Sequence, residues 1–383
     1  MTNPMQVTMI EPGDREQARA TIGQAVDALA RGGLVAFPTE TVYGVAASAA
    51  SDQGVQRLRE LKSGGEPRPF TVHLADPAAA ERYVDLTSPP LRRLVHKLMP
   101  GPVTLVVEVP GDQIDRKLKD LGLPGKRDRL YRGNTISLRC PAHALTQELL
   151  AAVDAPVIAG AAQRPGEEPA YDAQEAAEAL AGQAELIIDG GRCRYAQPST
   201  VVRLRPGGHQ LDLHVEREGV YDERYIRKLM RWTMLLVCSG NTCRSPMAEG
   251  IARQLLAEQR GLKPDALDSA GLRVMSAGVA AMDGVPASPE AVEAMRRQGI
   301  DLTRHRSRGL TAAMIHEADV IYTMTETHRQ AVLAVAPSAA EKTFTLDPTG
   351  EVQDPMGSDA STYQRTAEVI RRRLDQRLKE QQP

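Results

Sequence analysis

Val237-Cys-Ser-Gly-Asn-Thr-Cys-Arg-Ser-Pro246 is the stretch on which the reading of this chain turns. An apolar run, Met234–Val237, predicts a strand that stops at Cys238. A loop, Cys238–Arg244, follows, and a helical pattern runs from Ser245 to Arg260. A strand handing over to a helix through such a loop aims several backbone N–H groups at one spot. Those donors, the helix dipole and the Arg244 guanidinium form a cradle for a phosphate dianion. The same field favours the thiolate of Cys238, the form that attacks phosphorus. Arg244 can grip two equatorial oxygens and follow them into the transition state. Gly240 permits tight loop geometry, the Ser245 hydroxyl can donate to the thiolate, and Ser239, Asn241, Thr242 and Cys243 complete the loop. A cysteine nucleophile also needs an acid for its leaving group. Asp354-Pro355 offers a carboxylate on a loop stiffened by proline. The plainer alternative takes Cys238 and Cys243 as buried thiols or a metal pair. Cys-x4-Cys with no nearby His or further Cys is a poor zinc set, so no metal is expected.

Around this stretch, strand and helix patterns alternate. Leu272–Ala277 and Val320–Met324 read as strands; Ser288–Gln298, Thr311–Ala318 and Ser361–Glu380 read as helices. That alternation predicts an α/β unit with a doubly wound parallel sheet. The full 383 residues suit two such units. The charged helix pattern Tyr221–Arg231 places the division near residue 230, giving segments 1–230 and 231–383.

The first segment is also α/β. Gln6–Ile10 reads as an edge strand, and Arg15–Arg31 as an amphipathic helix with Ala20, Ala25, Val26, Leu29 and Ala30 inward. Further strands are expected at Leu34–Phe37, Phe70–Leu74, Val103–Val109, Thr135–Leu138, Pro156–Ile158, Leu186–Ile188 and Thr200–Leu204. Helices are expected at Gln53–Lys62, Pro90–Leu98, Ala144–Val153 and Ala173–Ala181. Gly111–Arg132 reads as a polar, basic loop, more simply a solvated excursion than a phosphate or RNA contact.

Composition excludes several classes. Formal net charge is −2, and residues 233–383 carry 18 Lys+Arg against 19 Asp+Glu, so neither segment is a basic body that holds nucleic acid by charge alone. Aromatic residues make up 3%, too few for a stacking platform. No run of about 20 apolar residues suggests a membrane span. The start of the chain lacks the pattern of a secretory signal. Four cysteines are too few for a disulfide scaffold, and a cytoplasmic setting is expected.

Residues 233–378 resemble the low-molecular-weight protein phosphatases. The resemblance extends through Ser276-Ala-Gly278, Gly299–Ser307, Ala318-Asp319, Met324-Thr325, His328 and Asp354-Pro355-Met-Gly357. It implies a phosphoprotein substrate, a phosphocysteine on Cys238, and Asp354 as acid and then base. The loop is most similar to that of bacterial protein-arginine phosphatases. Thr242 stands where tyrosine-specific members carry a bulkier apolar residue, and Met356 where they tend to carry an aromatic one. Both lean towards phosphoarginine, with phosphotyrosine the alternative. The resemblance further suggests a protective disulfide between Cys243 and Cys238; the other reading is a packed thiol.

Gly33-Leu-Val-Ala-Phe-Pro-Thr-Glu-Thr-Val-Tyr-Gly-Val45 carries a second resemblance. With Leu58–Lys62, Phe70–Asp76, Pro100–Thr104, Leu138–His143 and Pro198–Val202, it is similar to the threonylcarbamoyl-AMP synthases of the Sua5/YrdC family over residues 10–225. That implies a twisted open sheet, ATP with Mg²⁺, threonine and bicarbonate as reactants, and a tRNA-modification role with double-stranded RNA binding. Pro38, Thr39, Thr41 and Tyr43 would lie near threonine; Lys62, Arg139, His143, Ser199 and Thr200 near the nucleotide. Departures fall at the nucleotide side. Gly64 replaces an arginine, with Arg68 four residues on, and Ala161 and Gln163 replace a serine and an asparagine. Alanine offers a phosphate nothing. Two readings stay open: a module that binds threonine, nucleotide or tRNA without catalysis, and a synthase making the protein bifunctional.

Overall fold

The computed structural model describes residues 6–9, 14–63, 70–207 and 210–381. The backbone falls into two units, Met1–Ile226 and Arg227–Pro383, the division lying inside the helix Glu223–Met230.

Eleven strands among the described residues of the first unit form one sheet. They are β1 (Gln6–Met9), β2 (Val35–Phe37), β3 (Gly44–Ser48), β4 (Thr71–His73), β5 (Val103–Glu108), β6 (Tyr131–Arg132), β7 (Thr135–Arg139), β8 (Val157–Ala161), β9 (Leu186–Asp189), β10 (Thr200–Gly207) and β11 (Gln210–Arg217). The order is β1-β9-β2-β3-β8-β4-β7-β5-β10-β11, with β6 on β7. The sheet is mixed: β2-β3, β3-β8, β8-β4 and β5-β7 are antiparallel, while β1-β9, β4-β7 and β5-β10 are parallel. As expected, β1 is an edge. The helices Arg15–Ala30 and Ala144–Ala152 bury Ile22, Ala25, Leu29 and Leu149 against Phe37, Ala46, Val157 and Leu186.

Several expectations need correction here. The inward stripe of the first helix is Ala18, Thr21, Ile22, Ala25, Ala28 and Leu29; Ala20 and Ala30 face out. The stripe spaced three and four residues from Ala25 includes Ala18 and Ile22, and excludes Ala20. Gly44–Ser48, which is not among the expected strands, forms a fully buried central strand. The basic run is no loop: Gly111–Asp120 is a helix that buries Ile114 and Leu118. Its cations are engaged locally, Lys117 with Asp85 at 2.8 Å, Arg116 with the same carboxylate, and Lys126 with Asp52 at 3.2 Å.

The second unit holds β12 (Trp232–Cys238), β13 (Leu272–Gly278), β14 (Val320–Thr323) and β15 (Thr343–Thr345), all parallel, in the order β13-β12-β14-β15. Alternation along β12 feeds two cores. Met234, Leu236 and Cys238 face the helices Arg244–Arg260, Pro289–Arg296 and Ala360–Gln381; Leu235 and Val237 pack with Ile315 and Val332 on the other face. Connections leave β12 on both sides, so its carboxyl end, Cys238, sits at the switch point where α/β sheets bind ligands. The helix Glu326–Val335 and the strand β15 lay outside the sequence expectations.

Candidate active site

The loop after β12 closes around Asn241. Its backbone is left-handed, with φ of 55°, a conformation asparagine tolerates better than most residues. Gly240, expected to supply that freedom, does not adopt a positive φ, so the tight turn belongs to Asn241 instead. Asn241 is fully buried and its side chain is saturated. Nδ2 donates to Ser245 Oγ and Ser276 Oγ, both at 2.9 Å, and Oδ1 accepts from the Arg308 N–H at 2.9 Å. His305 Nε2 meets the Asn241 carbonyl at 2.8 Å. Gly278 is the glycine that geometry demands: a Cβ there would lie 2.4 Å from the Ser239 carbonyl oxygen.

This scaffold places the chemistry. Cys238 Sγ lies 2.9 Å from Ser245 Oγ, and Ser245 is in the first turn of the helix that opens at Arg244. Both are buried. Arg244 is 5% exposed; Nη1 donates to the Val352 carbonyl at 3.0 Å, and Nη2 to Asp354 Oδ2 at 2.5 Å and Ser239 Oγ at 3.4 Å. Asp354, 110 positions beyond Arg244 in the chain, is therefore brought to the loop that carries Cys238 and Arg244. The Asp354 carboxylate is held by Arg244 through one oxygen, and its other oxygen accepts from the Met356 N–H at 3.2 Å. Cys243 is a free thiol packed 3.4 Å from both Ser288 Oγ and Tyr363 Oη. Burial and the contact with Cys243 push the Tyr363 phenol up to about 12. Thr242 Oγ1 lies 3.7 Å from Cys243 Sγ.

His328 is the residue for which the motif reading had no role. It is buried and its Nε2 meets Ser239 Oγ at 2.8 Å. The signal was Thr325, which caps the helix Glu326–Val335 and sets the imidazole three residues on.

The first unit carries a cavity of about 520 Å³ over one face of its sheet. Strand alternation builds it: Thr71 and His73 from β4, Thr135, Ser137 and Arg139 from β7, and Ser199, Val201 and Arg203 from the β10 region point inward. Of the expected pocket residues, Thr39, Tyr43, Arg139 and Ser199 line it. Arg139 reaches Glu40 at 3.0 Å in a buried ion pair, while Thr39 Oγ1 closes its own turn on the Val42 carbonyl at 2.6 Å. Thr41 stands behind, its hydroxyl accepting from Arg139. Tyr43 donates to the Gly191 carbonyl at 2.9 Å, and burial raises its phenol.

Besides Thr41, four expected residues are placed elsewhere than on this lining. Thr200 faces the opposite side, where its hydroxyl donates to the Tyr221 carbonyl at 2.6 Å; the register that turns Ser199 inward turns its neighbour outward. His143 and Pro38 lie together beside Gly190, and burial lowers the His143 imidazole. Lys62 is spent on backbone: Nζ donates to the carbonyls of Ala161 and, at 2.8 Å, Gln163. Burial lowers that amine to about 8. Gly64 and Arg68 lie outside the described residues. His73, Thr104 and Arg203 were missed as lining, although period-two alternation of polar residues on these strands is the signal that finds them.

Comparison with known proteins bears on both units. The family model Sua5/YciO/YrdC, described as telomere recombination, matches residues 27–219. The model for low molecular weight phosphotyrosine protein phosphatase matches residues 233–382. The chain is 36% identical to the protein-arginine-phosphatase of Bacillus subtilis, over 38% of this chain and 95% of that one. It is 35% identical to "Probable low molecular weight protein-tyrosine-phosphatase EpsP" of Ralstonia nicotianae, over 37% and 91%. It is 32% identical to the threonylcarbamoyl-AMP synthase of Chromohalobacter salexigens, over 49% and 94%.

Proposed function

The chain belongs to the Sua5/YciO/YrdC family through its first unit and to the low molecular weight phosphotyrosine protein phosphatase family through its second, and on that premise we propose that the second unit removes phosphate from protein side chains by way of a phosphocysteine, with phosphoarginine preferred. The observation that carries the mechanism is the grouping of Cys238, Ser245, Arg244 and Asp354 around one loop. Cys238 Sγ attacks phosphorus while the bond to the leaving nitrogen or oxygen breaks, and Asp354 gives that atom its proton. The Asp354 carboxylate then takes a proton from water as the water oxygen displaces sulfur, releasing inorganic phosphate and restoring the thiolate. Arg244 and the loop N–H groups hold the equatorial oxygens in both steps.

Substrate preference rests on what flanks the cradle. Thr242 offers a hydroxyl suited to a polar guanidinium. The four aromatic residues of this unit are Trp232, Tyr322, Phe344 and Tyr363. Three are buried, and the partly exposed Phe344 lies on the edge strand β15 against Tyr322, with ring centroids 6.4 Å apart. Met356, 66% exposed, follows the acid in place of a ring. The test compares kcat/KM on phosphoarginine and phosphotyrosine peptides of one sequence. A higher value for phosphoarginine is expected; a higher value for phosphotyrosine overturns the preference while leaving the mechanism intact.

The first unit reads best as a binding module for an anionic ligand. Ala161 brings no hydroxyl to the cavity, and Lys62 is tied to carbonyls. A protein-held Mg²⁺ does not fit either: Glu216 is the one carboxylate among the described lining residues, and it is paired with Arg203.

A further inference from the structure

We propose that His328 is a positioning residue for phosphoryl transfer, fixing the Ser239 hydroxyl between its own ring and Arg244; the proposal rests on the phosphatase reading above. His328 touches no reacting atom. Its ring is 4% exposed and held at both nitrogens, Nδ1 against Thr325 Oγ1 and Nε2 against Ser239 Oγ, each at 2.8 Å. Two such bonds fix the ring plane as well as its position. Thr325 is fixed in turn, because its Oγ1 accepts from the His328 backbone N–H at 3.3 Å as the helix cap.

The consequence lies one bond further on. Ser239 directly follows the nucleophile, and its hydroxyl also accepts from Arg244 Nη2 at 3.4 Å. Arg244 Nη2 in turn holds Asp354 at 2.5 Å. A continuous line thus runs from the end of β14 through Thr325, His328, Ser239 and Arg244 to the acid. Asn241 and its partners hold the loop from the β13 side; His328 holds it from the β14 side. Three charged groups face the ring: Arg244, Asp354 and Glu351. Burial and Arg244 lower the imidazole against the opposing pull of the two carboxylates. A neutral ring orders Ser239 without placing a second cation beside Arg244. A histidine that merely filled a core space would need neither bond, and an apolar residue of its size would replace it.

A double-variant cycle in the full chain separates these roles. His328→Ala is expected to lower kcat/KM roughly ten- to hundredfold, the order of loss that ångström-scale misplacement of a catalytic group brings. Most of the loss belongs in kcat, because Arg244 must follow the oxygens as they move. His328→Gln, which can meet both hydroxyls, is expected to recover most of it. Ser239→Ala and Ser239→Ala/His328→Ala are expected to agree within about twofold, since His328 acts through Ser239. Losses that multiply in the double variant, or unchanged kcat/KM in His328→Ala, contradict the proposal. Should the alanine variant fail to fold, His328→Phe keeps the volume without either nitrogen and is held to the same outcomes. The phosphatase reading is checked separately and first: wild-type protein that releases no phosphate defeats that reading before any His328 variant is made.

Discussion

At the level of single residues, the second unit is organised by side chains that each satisfy more than one neighbour. Asn241 occupies a backbone conformation costly to most residues and spends its whole amide on Ser245, Ser276 and Arg308. Arg244 binds Val352, Ser239 and Asp354 at once. The Thr242 side chain, by contrast, has little structural work: its hydroxyl meets Cys243 Sγ at 3.7 Å, while the backbone carbonyl is what accepts from the Ser288 N–H, at 2.9 Å. A change there should therefore alter substrate choice rather than folding. Thr242→Ile is expected to lower the ratio of kcat/KM for phosphoarginine over phosphotyrosine by roughly ten- to hundredfold, about 1–3 kcal/mol of lost polar discrimination. Steady-state kinetics on matched peptides measure it, and an unchanged ratio removes Thr242 from the explanation. Most of the phosphate loop was legible in the sequence because its residues are contiguous. The nucleophile, the arginine and the serine fall within eight positions, and the donor geometry follows from a strand ending where a helix begins. His328 was not legible as a partner of Ser239, because nothing local tells which loop a capped helix on a neighbouring strand will face.

At the level of elements, two positions carry predictions. Gly278 ends β13 where the backbone passes the phosphate loop, and a Cβ there would meet the Ser239 oxygen at 2.4 Å and the Asn241 nitrogen at 2.9 Å. Gly278→Ala should displace the loop by a few tenths of an ångström or more. A fall in kcat/KM of roughly tenfold to hundredfold is expected, since catalytic misplacement on the ångström scale costs about that much; a fully active variant would show the loop to be softer than this packing implies. In the first unit, His73 is buried on β4, its Nδ1 donating to the Thr71 carbonyl at 3.0 Å and its ring edge-on to Phe37. Burial and Arg139 lower its pKa from 6.5 to about 3. Below 6.5 the unfolded chain takes up a proton that the folded chain refuses. The folded state is therefore favoured fully above that pH and loses ground as pH falls, by up to about 1.4 kcal/mol per unit from this group. Thermal unfolding of the wild type should weaken between pH 6.5 and 5 more steeply than that of His73→Gln; equal slopes would mean that His73 does take up a proton when folded. Two of the elements that escaped the sequence reading did so for different reasons. Gly44–Ser48 is built of small residues with no alternation, yet becomes a central strand because it is buried on both sides between β2 and β8. The helix Gly111–Asp120 is so polar that its two buried positions, Ile114 and Leu118, four apart, were outweighed by charge.

At the level of the whole molecule, two families meet in one chain, each with its own candidate site. In the second unit, Cys238, Ser245, Arg244 and Asp354 are grouped around one loop. In the first, the cavity is lined by hydroxyls and arginines, and Lys62 is held by the carbonyls of Ala161 and Gln163. No helix among the described residues is long and apolar enough to cross a membrane. Cys238→Ser protein, in which the phosphatase is silent, supplied with ATP, Mg²⁺, threonine and bicarbonate, is expected to release no threonine-dependent pyrophosphate above background. Clear turnover would establish the bifunctional reading instead.

The claim on which the rest depends is that phosphate passes through Cys238, and it is tested by trapping the intermediate. Asp354→Asn protein is mixed with a phosphoarginine peptide, quenched in acid-free conditions, and mapped by mass spectrometry and ³¹P NMR. The account predicts slowed release of inorganic phosphate and a phosphorus–sulfur linkage on the peptide containing Cys238, absent when Cys238→Ser is combined with Asp354→Asn. Phosphate found on another residue, or wild-type turnover retained by Cys238→Ser alone, would contradict it.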